Sequence, residues 1–140
     1  MERSSGAAPP LSSGESGDPE EGQILTVRIE SAGTSASVVS LAGELDLSTI
    51  PRVERQLFDQ LRSHAAIVVD LTHVNFIDSS GIALLIQAFR TTDDTGILNT
   101  VIAEGSQVER VFRLAGIDRA LPLFTQRARA LEGLNGAVSD

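Results

Sequence analysis

Lysine, cysteine, tryptophan and tyrosine are all missing from this 140-residue chain, and histidine occurs only at His64 and His73. Each gap removes a class of chemistry. Without lysine there is no phosphate-loop cation, Schiff base or cofactor-linking amine. Without cysteine there is no thiol nucleophile, disulfide framework or thiolate zinc site. Two imidazoles are too few for a multi-histidine metal centre built from one chain. No uninterrupted apolar run reaches the ~18 residues a membrane span needs, and no secretory leader is expected at the start. All 11 basic side chains are arginine, set against 19 acidic ones, for a formal net charge of −8. That balance argues against sequence-independent nucleic-acid binding, which needs clustered cations to displace counterions. The expectation is a cytoplasmic domain with no cofactor, no metal, no direct nucleic-acid partner and no membrane insertion.

What remains is 41% hydrophobic, enough to bury the core of one domain. Residues 1–22, MERSSGAAPPLSSGESGDPEEG, are rich in Ser, Gly, Pro and Glu and nearly empty of large apolar side chains. Such a segment cannot repay its ordering entropy, so a disordered acidic tail is expected there, holding half of the net charge. Residues 23–140 are expected to form the folded domain.

Leu25, Val27 and Ile29 alternate with Thr26, Arg28 and Glu30, the period of a half-buried strand. The Gly-containing link Ser31–Ser35 and the run Ser37–Leu41 make this a β-hairpin. Gly43-Glu44-Leu45-Asp46 then leads into a helix that Ser48 or Thr49 can cap, with Pro51 in its first turn and Ile50, Val53, Leu57 and Leu61 on one face. Ala66–Val69 is a continuous apolar run, expected of a strand covered on both sides. Leu71–Ile77 reads as a strand-to-loop passage, in which His73 faces solvent and Asp70 is a loop or helix-approach carboxylate. Ile82, Leu85, Ile86 and Phe89 mark a second helix, and Asp93-Asp94-Thr95-Gly96 a turn that breaks it. Leu98–Ala103 reads as another buried strand. Val108, Val111, Phe112 and Ala115 mark a third helix that Gly116 ends. A short strand at Leu121–Phe124 and a helix over Ala128–Leu131 follow. Strands alternating with helices imply parallel crossovers, so the expected fold is α/β: a mixed sheet, antiparallel hairpin plus parallel βα units, with helices packed on it.

The informative stretch is Asp78-Ser79-Ser80-Gly81, between a strand exit and a helix start. Asp78 or Ser79 caps the helix, and Gly81 lets the chain turn. A serine at that position lies near the surface among unpaired N–H groups, which suits it to carry a phosphoryl group. A catalytic Ser79 is disfavoured: the Gly-x-Ser-x-Gly elbow is absent, although His73, His64 and Asp78 offer candidate bases and an orienting carboxylate. No enzyme is expected. A phospho-accepting role for Asp70 fails on the missing lysine and on the hairpin. The pair Glu44 and Asp46 reads as solvated strand-end carboxylates, one of which can cap the next helix.

In order and spacing, Leu41–Asp46, Ile67–Leu71, Phe76–Gly81 and Val108–Ile117 resemble the STAS domain, and more narrowly its anti-sigma factor antagonist branch. The resemblance covers nearly all of residues 23–125. It implies a partner-switching regulator that binds an anti-sigma factor of GHKL-type serine-kinase class when unphosphorylated, freeing a sigma factor, and lets go on phosphorylation. A PP2C-type phosphatase would reverse the modification. Carried onto this chain, the acceptor is Ser79. Asp78, Ser80 and Gly81 form the docking loop, with Glu44 and Asp46 on the same rim. The same fold also serves as a soluble accessory subunit of membrane transport complexes, without a phosphorylation cycle. Weak homodimerisation stays open at this stage.

Overall fold

The computed structural model describes residues 25–33, 35–92 and 96–134, so the expected tail and the Asp93–Thr95 part of the turn lie outside the described residues. Strand β1 (Leu25–Ser31) turns back into β2 (Ala36–Leu45) as an antiparallel hairpin. Helix α1 (Ile50–Ser63), β3 (Ala66–Ile77), α2 (Ser79–Arg90), β4 (Ile97–Val101), α3 (Gln107–Leu114), β5 (Leu123–Phe124) and α4 (Arg127–Glu132) follow. The strands lie in the order β1-β2-β3-β4-β5, every pair after the hairpin being parallel. This is the expected mixed α/β sheet.

The sheet is covered unequally. On one face α1, α2 and α3 bury Val39, Leu41, Leu45, Ile67, Val69, Leu71, Val74, Ile77 and Leu98 against Val53, Leu57, Leu85 and Phe112. On the other face, among the described residues, α4 and the residues just after it cover Ala36, Val38, Ala66, Val68 and Val101, through Ala130 and Leu134. Both sides of Ala66–Val69 are therefore filled, as its unbroken apolar run requires.

Several boundaries differ from the sequence reading. β2 runs on to Leu45, so Gly43 and Glu44 are strand residues and not a link. β3 is one strand of 12 residues rather than a strand and a passage. Its register against β2 slips twice: Ser40 pairs with Asp70 but Ala42 with His73, and Gly43 pairs with Val74 but Glu44 with Phe76. Each slip is a bulge that adds one residue to β3. His73 is exposed as expected, although it sits within the strand.

Asp70 is also a strand residue, only 6% exposed. It is neither a loop carboxylate nor a helix-approach one. Its Oδ1 accepts the Thr72 amide (2.9 Å) and hydroxyl, and its Oδ2 accepts Arg127 Nε–H (2.9 Å). Burial pushes the Asp70 carboxyl up, but Thr72 and Arg127 together outweigh it and hold it below the usual aspartate range. Arg127 further donates to Ser40 Oγ (2.7 Å) and Glu30 Oε1 (3.0 Å), which ties α4 to β1, β2 and β3 at once.

In α2 the innermost face is Gly81, Leu84, Leu85 and Ala88, while Ile82, Ile86 and Phe89 are half-buried. The apolar stripe is wider than the sheet alone needs, because α2 also packs sideways on α1.

Candidate functional site

The rim of interest lies at the carboxyl ends of β2 and β3, where parallel strands deliver two loops side by side. Leu45 pairs with Ile77, and the Asp78 amide donates to Leu45 O (3.2 Å). The β2–α1 loop and the β3–α2 junction are thus fixed to each other, although 33 residues separate Leu45 from Asp78.

Asp78 is the N-cap of α2. Its backbone is extended (φ −114°, ψ −173°), and Oδ1 accepts the amides of Ser80 (2.9 Å) and Gly81 (3.2 Å). The Ser80 hydroxyl donates to the same oxygen. That hydroxyl, followed by the amides of Gly81, Ser80 and Leu47, holds the Asp78 carboxyl below the usual aspartate range against a smaller opposing effect of burial. Asp78 is therefore ionised at neutral pH.

Ser79 and Ser80 differ sharply. Ser80 is half-buried and its hydroxyl is committed to Asp78. Ser79, the first residue of α2, is exposed, and among the described residues its hydroxyl has no hydrogen-bond partner. The amides expected to greet a phosphoryl group are largely occupied: Asp78 takes those of Ser80 and Gly81 through its side chain, and that of Ile82 (3.1 Å) through its carbonyl.

Gly81 is required by a close approach. A Cβ there would stand 2.7 Å from Ile77 Cγ1 and 3.0 Å from both Leu45 Cγ and Leu45 O. Only a bare Cα lets α2 start directly over the ends of β2 and β3.

In the β2–α1 loop, Asp46 Oδ1 accepts the Ser48 amide (3.0 Å) and hydroxyl (2.8 Å). Asp46 thus closes the turn before α1 through Ser48 and the Thr49 amide (3.3 Å), and its side chain does not cap the helix itself. Thr49 holds the N-cap position of α1 but makes no side-chain cap bond to that helix. Its hydroxyl donates to Glu44 O (3.0 Å) and accepts the Asp46 amide (3.0 Å), which locks the loop. Glu44, opposite Phe76, is half-buried. All six residues singled out in the sequence, Glu44, Asp46, Asp78, Ser79, Ser80 and Gly81, lie on this one rim.

The sequence reading missed three contributors. Leu47 (75% exposed), in the β2–α1 loop, and Phe76 (40% exposed), near the end of β3, are large apolar side chains left uncovered. A leucine in a turn and a phenylalanine beside a bulge carry no periodic signal that marks them as surface. Gln107, at the start of α3, accepts the Ile77 amide (3.0 Å) and donates to Ile77 O (3.2 Å). It stands in for the neighbouring strand that β3 lacks beyond its pairing with β4, and nothing local to Gln107 foretells a partner 30 residues away. Among the described residues no group of three metal-ligating side chains converges, and no helix is long and apolar enough to cross a membrane.

Comparison with known proteins agrees with this architecture. The STAS domain pattern matches residues 24–130. The anti-sigma-F factor antagonist RsfB of Mycobacterium tuberculosis is 32% identical over 107 residues, covering 74% of this chain and 85% of that protein. The anti-sigma F factor antagonist of Paenibacillus polymyxa is 28% identical, over 69% of this chain and 85% of its own. Among solved structures, an anti-sigma factor antagonist from Mycobacterium paratuberculosis superposes with a TM-score of 0.74 at 28% identity, covering 79% of this chain and 94% of the other. The phosphorylated form of the Bacillus cell fate determinant SpoIIAA shares the fold, with a TM-score of 0.58 at 20% identity over 78% of this chain and 99% of its own. With the pattern spanning most of the sequence and a relative this similar, the chain belongs to the anti-sigma factor antagonists of the STAS domain family, which are regulators and not enzymes.

Proposed function

We propose that this protein is a phosphorylation-controlled anti-sigma factor antagonist in the cytoplasm. Unphosphorylated, it binds an anti-sigma factor that is also a GHKL-type serine kinase and thereby frees a sigma factor. Phosphorylation at Ser79 releases it, a PP2C-type phosphatase resets it, and the cycle serves a transcriptional stress response.

One observation carries the choice of acceptor: the Ser79 hydroxyl is exposed and unengaged, whereas that of Ser80 is held by Asp78. Leu47 and Phe76 offer apolar surface for the partner to cover, and Glu44, Asp46, Asp78 and Gly81 shape the rim on which Ser79 stands. Charge then supplies the switch. A phosphoryl group adds about −1.5 to −2 at neutral pH beside an Asp78 that is already ionised and already holds the nearest amides. Little is left in the first turn of α2 to neutralise it, beyond the helix dipole at ~0.3–1 kcal/mol. Like charge pressed into a packed interface costs several times as much, so binding is lost without refolding.

The test is affinity for the cognate kinase before and after stoichiometric phosphorylation. A loss of at least ~100-fold, about 2.7 kcal/mol, is expected; equal affinities at physiological salt refute the switch. Ser79→Ala abolishes kinase labelling and Ser80→Ala does not. Labelling that follows Ser80 instead overturns the assignment.

A further inference from the structure

We propose that the free edge of β1 is a homodimerisation surface, on which a second copy of this chain pairs antiparallel about Ile29. β1 is the outermost strand on its side, and among the described residues nothing pairs with its outer edge. The hairpin fixes which backbone groups face outward. Ala32 N–H donates to Ala36 O (2.9 Å), and the register runs from Ser31↔Ser37 to Leu25↔Gly43. Hydrogen-bonded pairs alternate along an antiparallel ladder. Thr26, Arg28 and Glu30 therefore bond inward to β2, while Leu25, Val27, Ile29 and Ser31 point their N–H and C=O groups away from it. The Leu25 carbonyl confirms the phase, because it reaches outward to accept Arg52 Nη2–H (2.6 Å).

Three two-fold registers use the middle of this edge, and only one suits its chemistry. Centring on Arg28 sets Arg28 against itself and needs the Leu25 carbonyl that Arg52 already holds. Centring on Glu30 sets two carboxylates face to face. Centring on Ile29 places Arg28 opposite the second copy's Glu30, and Glu30 opposite its Arg28. It exchanges about six main-chain hydrogen bonds through Ile29, Val27 and Ser31. It also brings together two Ile29 side chains, each 39% exposed, on the helix-bearing face of the sheet. Glu30 spends only Oε1 on Arg127, which leaves Oε2 for the new pair. β1 contains neither proline nor bulge, the devices by which edges are usually blunted.

The centre of this pairing lies level with Val39, six residues of β2 before Leu45, or about 20 Å from the serine rim. Both rims of the dimer stay open, so two partner sites would sit on one continuous sheet. An interface of a single strand is small, so the dimer is weak and concentration-dependent.

Sedimentation velocity on the full chain tests this. The wild type moves from monomer toward dimer as concentration rises to ~1 mM. Ile29→Pro stays monomeric with unchanged circular dichroism, because the N–H it removes points outward and serves no bond to β2. Arg28→Glu and Glu30→Arg each set like charges opposite each other, weakening self-association roughly tenfold or more. An equimolar mixture of the two variants pairs again, because each cation of one variant then faces a carboxylate of the other. A wild type that stays monomeric throughout, or a dimer indifferent to Ile29→Pro, overturns the proposal. A dimer that Arg28→Glu weakens but that the mixture does not restore overturns the register.

Discussion

Asp70→Asn is the substitution whose consequence follows most directly from the geometry. The change is nearly isosteric, so Thr72 keeps an acceptor at Oδ1, but Arg127 Nε–H then faces an amide N–H instead of Oδ2. A hydrogen bond to a charged group contributes ~1.5–3 kcal/mol. Asp70 is 8% exposed at its side chain and Arg127 40%, so solvent screens part of this, and Ser40 and Glu30 still hold the guanidinium. A loss of about 2 kcal/mol results, or a fall in Tm of about 8 °C for a domain of this size. The pH dependence gives the sharper test. The carboxyl lies below its ordinary value in the folded protein, so its contribution is complete above the unfolded pKa and is lost as pH falls through the lower folded value. Urea unfolding from neutral pH down to about pH 2 should show wild type and variant apart at the top and converging in acid. Equal stabilities at neutral pH, or a gap that persists unchanged in acid, refutes the role given to Asp70.

Gly81→Ala places a methyl group 2.7 Å from Ile77 Cγ1 and 3.0 Å from the Leu45 carbonyl. Overpacking of ~1–3 kcal/mol should exceed the ~1 kcal/mol helix-propensity gain, so thermal melting falls by a few degrees; a rise in Tm refutes the close approach. Gln107→Leu strips both partners from the Ile77 backbone, costing about 1–3 kcal/mol in urea unfolding and speeding exchange of the Ile77 amide. Unaltered exchange at Ile77 counts against the strand-end role of Gln107.

The sheet was legible where packing writes a regular pattern. In β1, Leu25, Val27 and Ile29 alternate with polar neighbours, and in β2 the run as far as Leu41 reads as a strand, whereas its continuation to the buried Leu45 is hidden by Gly43 (φ 116°) in the apolar alternation. The apolar run of β3 up to Val69 likewise announced a strand covered on both faces. Beyond it the pattern failed for a physical reason. The residues of β3 that face the helices are Val69, Leu71, Val74 and Ile77, so the spacing changes from two to three at each bulge. A spacing of three in a run this short is no strand signal, which is why Leu71–Ile77 read as a passage toward a loop. Asp70 reads as exposed for a related reason: Thr72 is a local partner that a loop would offer equally well, whereas Arg127, the cation that lets the carboxylate be buried, lies 57 residues away. The serine loop was legible because its contacts are local. Asp78 reaches only two and three residues ahead, the spacing at which an N-cap satisfies a helix start.

The same two bulges explain how an ordinary capping motif comes to lie on a shared rim. Parallel pairing with β2 fixes the level at which β3 must end, and Ile77 must still point into the core opposite Leu45. Two added residues change the facing twice, so the parity of the strand is restored and Ile77 stays buried while Thr72, His73, Asn75 and Phe76 come to the surface. Asp78 then leaves the sheet beside the Leu45 carbonyl, and its carboxylate caps its own helix. Capping consumes the first-turn amides and fixes the Ser80 hydroxyl, which leaves Ser79 as the serine of the pair with nothing to do inside the fold. A hydroxyl released from structural duty can gain or lose charge at little cost to folding. In the proposed switch, the effect of phosphorylating Ser79 is then felt where the rim meets another molecule.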